Sequence, residues 1–207
     1  DAVFAAPRLT DNVGLIEEVE DASANVVIQE TTFRHDLEFS PRAWLEYRCD
    51  DEFSLRTSWW QLDSDAASIG LGPDASGFGE IRHPELYIVD LSITQPAERL
   101  AAASSVDLRV LDLEIAKRTL LGGWDLSYAA GIRHVSVDTT YQLTALNTVG
   151  ALSGQATRRR EVDGVGPLVR IRSGRMWGDR VLITAGLTGA VLLSESETRL
   201  SAIEDVD

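Results

Sequence analysis

The sequence predicts an all-β chain: an antiparallel up-and-down transmembrane β-barrel, whole or incomplete, with short turns at one end and long loops at the other. Three observations predict it. The first is alternation. Over Trp124–Arg133, the residues Trp124, Leu126, Tyr128, Ala130 and Ile132 fall on one face, and Asp125, Ser127, Ala129, Gly131 and Arg133 on the other. A period of two is the mark of a strand with unlike faces. The second is unequal connections. Those near 50–52, 120–123 and 173–179 are short, and those at 63–105 and 138–163 are long. A membrane-spanning meander keeps its short turns together and its long loops together, whereas a soluble sandwich mixes them. The third is aromatic placement. Phe53, Trp124 and Trp177 sit at or just after short turns, and Trp59, Trp60 and Tyr141 lie at or beyond the long-loop ends. In a barrel these form two interfacial girdles, with Phe53, Trp59, Trp124 and Trp177 as the leading candidates. In a soluble fold the same rings would pack a core.

Composition narrows the classes. The 207 residues suit one large β domain, read here as 1–207, with residues 1–30 poorly defined. Hydrophobic residues make up 44% of the chain, yet no run is long enough for a spanning helix. Averaged hydropathy says nothing against barrel strands, which are half polar. The net charge of −14 argues against nucleic acid as a partner. Lys117 is the only lysine among the 19 basic residues. Cys49 is the only cysteine, so no disulfide framework or cysteine-based zinc site forms within the chain. No signal peptide is visible at Asp1, and both ends read as cut points, so a processed chain or a fragment is expected.

The elements follow in order. Leu15–Glu20 reads as helix and Asn25–Thr31 as strand. Phe33, His35, Leu37 and Phe39 alternate with polar residues up to Pro41. Arg42–Cys49 and Phe53–Trp60 make a hairpin about an Asp50-Asp51-Glu52 turn. Within 63–105, Leu86–Ile93 is a candidate strand and Gln95–Leu100 a short helix with Pro96 in its first turn. Val106–Ala116 is a strand, then a Leu120–Gly123 turn, then a strand from Trp124 to Val137. Val165–Arg172 is a further strand, and Val181–Leu193 is expected to be the longest.

Several strings carry a likeness. Arg42-Ala43-Trp44-Leu45-Glu46-Tyr47-Arg48 leads into Leu55-Arg56-Thr57-Ser58-Trp59-Trp60; Leu111-Asp112-Leu113-Glu114 precedes Trp124-Asp125-Leu126 and Gly131-Ile132-Arg133-His134; Gly164-Val165-Gly166-Pro167 precedes a last apolar strand. In this order, over roughly 42–194, the chain resembles the pore-forming major outer membrane protein family typified by Legionella, with planctomycete relatives. The resemblance implies a β-barrel in the bacterial outer membrane that passes small solutes or ions and contributes to the envelope. Its partners would be outer-membrane lipid and those solutes, and an oligomer is left open. The chain departs from the family in lacking a last strand that ends in an aromatic residue. Missing ends, or a domain short of a full barrel, are therefore expected. The alternative is a soluble or periplasmic β-barrel or sandwich that binds a ligand or builds a surface layer.

The charged residues fit a lining better than a catalytic centre. Asp112 and Glu114 share a face, opposite room for Arg133 on the next strand and for Arg170 and Arg172 further on. Together with Glu46, Arg48 and Arg56 they are the expected lumen-lining set, where opposed charges set ion preference. On an ordinary solvated face the same residues would simply pair across strands. His35, His83 and His134 are scattered with no metal-ligand spacing, so no metal, cofactor or enzymatic site is expected. Gly70-Leu71-Gly72-Pro73-Asp74-Ala75 matches a relaxed dinucleotide fingerprint, but Pro73 and the lack of a following helix make it a loop. Arg158-Arg159-Arg160 is read as a solvated loop segment, with lipopolysaccharide phosphates as the alternative contact.

Overall fold

The computed structural model describes residues 2–5, 13–20, 26–73, 79–83, 91–178 and 180–204. In chain order the strands are β1 (Ala2–Ala5), β2 (Val13–Glu20), β3 (Val26–Thr32), β4 (Glu38–Arg48), β5 (Phe53–Asp65), β6 (Ile69–Leu71), β7 (Gly79–Arg82), β8 (Arg99–Leu121), β9 (Trp124–Leu146), β10 (Leu152–Trp177), β11 (Val181–Ala190) and β12 (Leu193–Glu204). The large sheet runs β1-β4-β5-β8-β9-β10-β11, with β6 also on β8 and β12 also on β10. A small sheet runs β3-β2-β7. All pairings are antiparallel. The all-β expectation therefore holds in its coarse form. Among the described residues the large sheet is open, with β1 and β4 at one edge and β11 and β12 at the other.

Short turns set the meander. Asp50 closes the first by accepting hydrogen bonds on Oδ1 from the amides of Glu52 (2.8 Å) and Phe53 (2.6 Å). Gly122 and Gly123, both at positive φ, make the two-residue turn between β8 and β9. Asn147 caps the next, its Oδ1 accepting from Val149 (3.1 Å) and Ala151 (2.9 Å).

The longest strands carry the surprises. Residues 138–163, expected as a loop, are mostly strand: β9 runs to Leu146 and β10 starts at Leu152. Their polar residues are the solvent face of a strand whose other face holds Tyr141, Leu143, Ala145 and Ala156. Arg158, Arg159 and Arg160 accordingly lie in β10. The connection at 63–105 likewise contains the end of β5, all of β6 and β7, and the start of β8. Gly70 and Leu71 belong to β6 rather than to a loop. Leu86–Ile93 lies largely outside the described residues, though Ile93 bridges Ile81.

Two expected helices are absent. Leu15–Glu20 is part of β2, paired on both sides. Gln95–Leu100 is a turn followed by strand: the Glu98 carboxylate accepts the amides of Thr94 (3.1 Å) and Gln95 (2.9 Å), Ala97 takes φ 76°, and β8 begins at Arg99. Burial of Leu100 within the sheet overrides the local helical signal. The last strand is not one piece to Leu193. β11 and β12 hold a single register along β10, with Ala190 opposite Leu168 and Leu193 opposite Val165. They break at Val191 and Leu192, opposite Pro167, which has no N–H to give; Val191 still donates to its carbonyl at 3.1 Å.

The hydrophobic core lies at the end of the sheet away from the Asp50 and Gly122–Gly123 turns, on the side of the Asn147 turn. Leu15, Phe33, Ile81, Leu91 and Ile93 pack onto Leu100, Ala102, Tyr141, Leu143 and Ala145. Phe33 meets Tyr141 edge to face at 5.9 Å, and the Tyr141 hydroxyl donates to the Gly14 carbonyl at 2.8 Å. Tyr141 is thus a core residue rather than a girdle one. Trp60 also turns from the girdle, its indole N–H donating to Ser40 Oγ.

Two predictions follow from this core. Leu143 is fully buried, so Leu143→Ala should lower stability by about 2–5 kcal/mol, read as a lower denaturant midpoint. His35 lies at its margin, with Nδ1 3.2 Å from Ser64 Oγ and Nε2 buried without a hydrogen-bond partner among the described residues. Burial pushes its imidazole below the usual range, against the opposing charge of Asp65. The folded state therefore resists protonation. The cost is absent above about pH 6.5 and grows as the pH falls from there through the depressed folded pKa. His35→Gln should flatten stability over that interval, measured as urea midpoints against pH.

Candidate functional site

The large sheet is inverted. Near the short turns its hydrophobic side chains face out and its charges face in. Leu113, Ile115, Ile132 and Val169 are 51, 62, 56 and 60% exposed, while Asp112, Glu114 and Arg170 are 2, 1 and 5% exposed. The register explains the separation. One row reads Tyr47, Leu55, Ile115, Ala130, Val169 across β4, β5, β8, β9 and β10. The next, on the opposite face, reads Glu46, Arg56, Glu114, Gly131, Leu168. Because side chains alternate strictly, an unbroken register keeps every row pure.

The charged face is concave and centres on Asp112. Arg133, directly opposite on β9, grips it through two parallel bonds, Nε to Oδ1 at 2.7 Å and Nη2 to Oδ2 at 2.8 Å. Ser58 on β5 donates to Oδ2 at 3.3 Å. Arg170 arrives from β10, across the whole width of β9. Its Nη2 reaches Asp112 Oδ2 at 3.1 Å, its Nη1 stands 2.7 Å from Glu114 Oε1, and its Nε donates to Thr188 on β11 at 3.1 Å. The contact with Glu114 is an ion pair without hydrogen-bond alignment. Such a reach needs small residues beneath it. Ala129 faces Arg170 and Gly131 faces Glu114 in the register. A Cβ at Gly131 would stand 2.0 Å from the Leu113 carbonyl oxygen, so β8 and β9 approach too closely there for any other residue.

Towards the short turns the concave face opens into a trough of about 760 Å³, lined by Glu46, Arg48, Arg56, Glu114, Arg170 and Arg172 among others. All eight residues expected to share a face thus do so; Asp112 and Arg133 lie at the trough's deep end, one row beyond Glu114. The sequence reading missed Ser58, Thr188 and the Arg118–Asp125 pair. Arg118 and Asp125 continue the same alternation past Glu114 and before Ser127, so the period itself was the signal.

On the outer face Phe53, Trp124 and Trp177 lie towards the short turns, with Lys117 5.1 Å over the Phe53 ring and Arg175 5.5 Å over Trp124. Trp59 lies at the far border of the apolar rows, level with Leu111 and His134. Beyond it the outer face turns polar. Arg159 pairs with Asp138 and Glu161, Arg109 with Asp107, and His134 stands 3.7 Å from Asp163. Among the described residues no three His, Cys, Asp or Glu side chains are grouped to hold a metal ion. Comparison with protein-family models, curated proteins and solved structures finds no match to this chain.

Removing Arg170 leaves two buried carboxylates short of a partner. Arg170→Met should cost about 3–5 kcal/mol in a denaturant titration. Adding Glu114→Gln should recover part of that loss, so the double-mutant cycle reads a favourable coupling.

Proposed function

We propose that this sheet is the wall of a porin-like β-barrel in the bacterial outer membrane, passing small solutes or ions and performing no catalysis. The inversion carries the reading. A continuous apolar surface across six neighbouring strands, backed by buried charge, suits a sheet with lipid outside and water inside. From Leu111 to Leu121 the outward row on β8, apolar except for Lys117 and Thr119 towards the short turn, rises roughly 33 Å along the strand at about 3.3 Å per residue. Tilted by about 40°, that length covers a band about 25 Å tall, the height of such a barrel's lipid-facing zone. Aromatic residues at both borders of the band, and polar ion pairs beyond it, agree with an interface followed by water. The strings resembling pore-forming outer membrane proteins fall on these strands.

In this reading the open edges are completed by further strands. β4, β5, β8, β9, β10 and β11 cross the band, fewer than the eight of the smallest outer-membrane barrels. Unpaired backbone groups at β4 and β11 cannot face hydrocarbon without large cost. Added strands, from further chain or from a second copy, would satisfy them.

The chain should need detergent to stay dispersed, migrate differently on gels before and after heating, and give conductance steps in a planar bilayer. Ile132→Arg, on the outward face, should cost about 2–4 kcal/mol of folding stability in lipid. Ser127→Gln, on the trough face, should change stability by less than about 0.5 kcal/mol. A chain that is folded and monomeric in plain buffer, without conductance, would overturn the pore in favour of a soluble β-protein.

A further inference from the structure

The trough carries more positive charge than its own carboxylates neutralise. Asp112 and Glu114 are engaged by Arg133 and Arg170. Arg48, Arg56 and Arg172 also line or border the same space, and none of the three forms an ion pair among the described residues. Arg56 stacks 5.0 Å over Trp44, and its Nε is buried with no hydrogen-bond partner; Glu46, opposite it on β4, and Glu114 attract it without forming an ion pair. Arg172 lies close enough to both Arg56 and Arg170 to repel them. This crowding of like charge stands in a protein whose net charge is −14. The acidic excess therefore lies elsewhere on the chain, and the concave face is locally cationic.

We propose that Arg56 and Arg172, with Arg48 beside them, form a site for small oxyanions, solutes bearing a carboxylate or phosphate group. The chemistry is specific to the side chain. Each guanidinium presents a planar fork of N–H donors that matches two oxygens of one anion, and it stays charged at any relevant pH. An anion between them replaces repulsion with two charge-assisted contacts and satisfies the buried Nε of Arg56. The low-dielectric walls around the trough focus the field towards its mouth. If the trough lines a pore, the same arginines make that pore prefer anions. That second consequence rests on the pore reading; the binding site itself does not.

The test has two arms, each using the whole chain and the double variant Arg56→Gln/Arg172→Gln. In the first, inorganic phosphate and citrate are titrated separately at low ionic strength by calorimetry. Binding of at least one is expected, weakened about tenfold or more in the double variant. Arg199→Gln, which removes an exposed arginine paired with Glu197 outside the trough, should bind as the unaltered protein does. The double variant loses the repulsion between Arg56 and Arg172 together with the attraction of Arg56 to Glu46 and Glu114, so its denaturant midpoint should stay close to that of the unaltered protein. Loss of binding with stability retained therefore assigns a ligand role, not a structural one. If neither anion binds, or the double variant binds both unchanged, the site is overturned. A preference for one anion tells phosphate solutes from carboxylate ones. In the second arm, reversal potentials are read across a potassium chloride gradient in a planar bilayer. Anion preference is expected, moving towards cations in the double variant. Cation preference in the unaltered protein would overturn the selectivity. Absence of conductance together with arginine-dependent anion binding would overturn the pore alone.

Discussion

Arg170 is the side chain on which the arrangement of the sheet turns. It links three strands across a fourth, joining Asp112 and Glu114 on β8 to Thr188 on β11 from its own position on β10. Buried charges are stable only when paired, and these are paired only if the sheet curls inward over the small residues of β9. Curling places the charged rows on the concave side. Strict alternation then leaves Leu113, Ile115, Ile132 and Val169 on the convex side. A single reach across β9 is thus consistent with both the curvature and the inversion.

The sheet changes character along its length without changing register. On the even-numbered side of β8, Leu100 and Ala102 are packed in an apolar core, while Asp112 and Glu114 further down are buried in an ion network. The opposite side does the reverse: Asp107 and Arg109 pair in solvent, and Leu113 and Ile115 stand bare. The small sheet accounts for the exchange. Where β2, β3 and β7 lie, the concave face is dry and hydrophobic, as in an ordinary domain. Where they do not, it is charged and open. The trough is therefore bounded at that end by the apolar core beneath the small sheet.

Much of this was legible in the alternation. Period two in Trp124–Arg133 assigns Ile132 and Arg133 to opposite faces, and the same count along neighbouring strands puts Asp112, Glu114, Arg170 and Arg172 together. What alternation does not contain is distance across strands. Arg133 meeting Asp112 follows from adjacency; Arg170 crossing β9 depends on curvature, which only the small residues Ala129 and Gly131 hint at. Polar composition misled at 138–163, where Thr139, Thr140 and Gln142 read as loop and Tyr141 as a girdle residue, although Tyr141 and Leu143 are buried in the core. The helical reading of Gln95–Leu100 failed for a related reason. Local signals there are overruled by the demand to bury Leu100, a contact made with residues far away in sequence. Closure of the sheet is likewise a property of its edges, and no pattern within a strand reports what lies beside it.

The hydrogen bond from Tyr141 to Gly14 spans 127 residues of chain, and it has a kinetic meaning. The β4–β5, β8–β9, β9–β10 and β10–β11 pairings each join neighbours through a short turn, so those hairpins can form early. The β2–β3 pair is also local, but its buried surface finds its partners only once β8 and β9 exist. Strands early in this sequence are thus among the last to dock. Until then Leu15 and Phe33 remain without the core that shelters them, and closing so long a loop must be compensated by that late burial. The small sheet docks after the large one has formed.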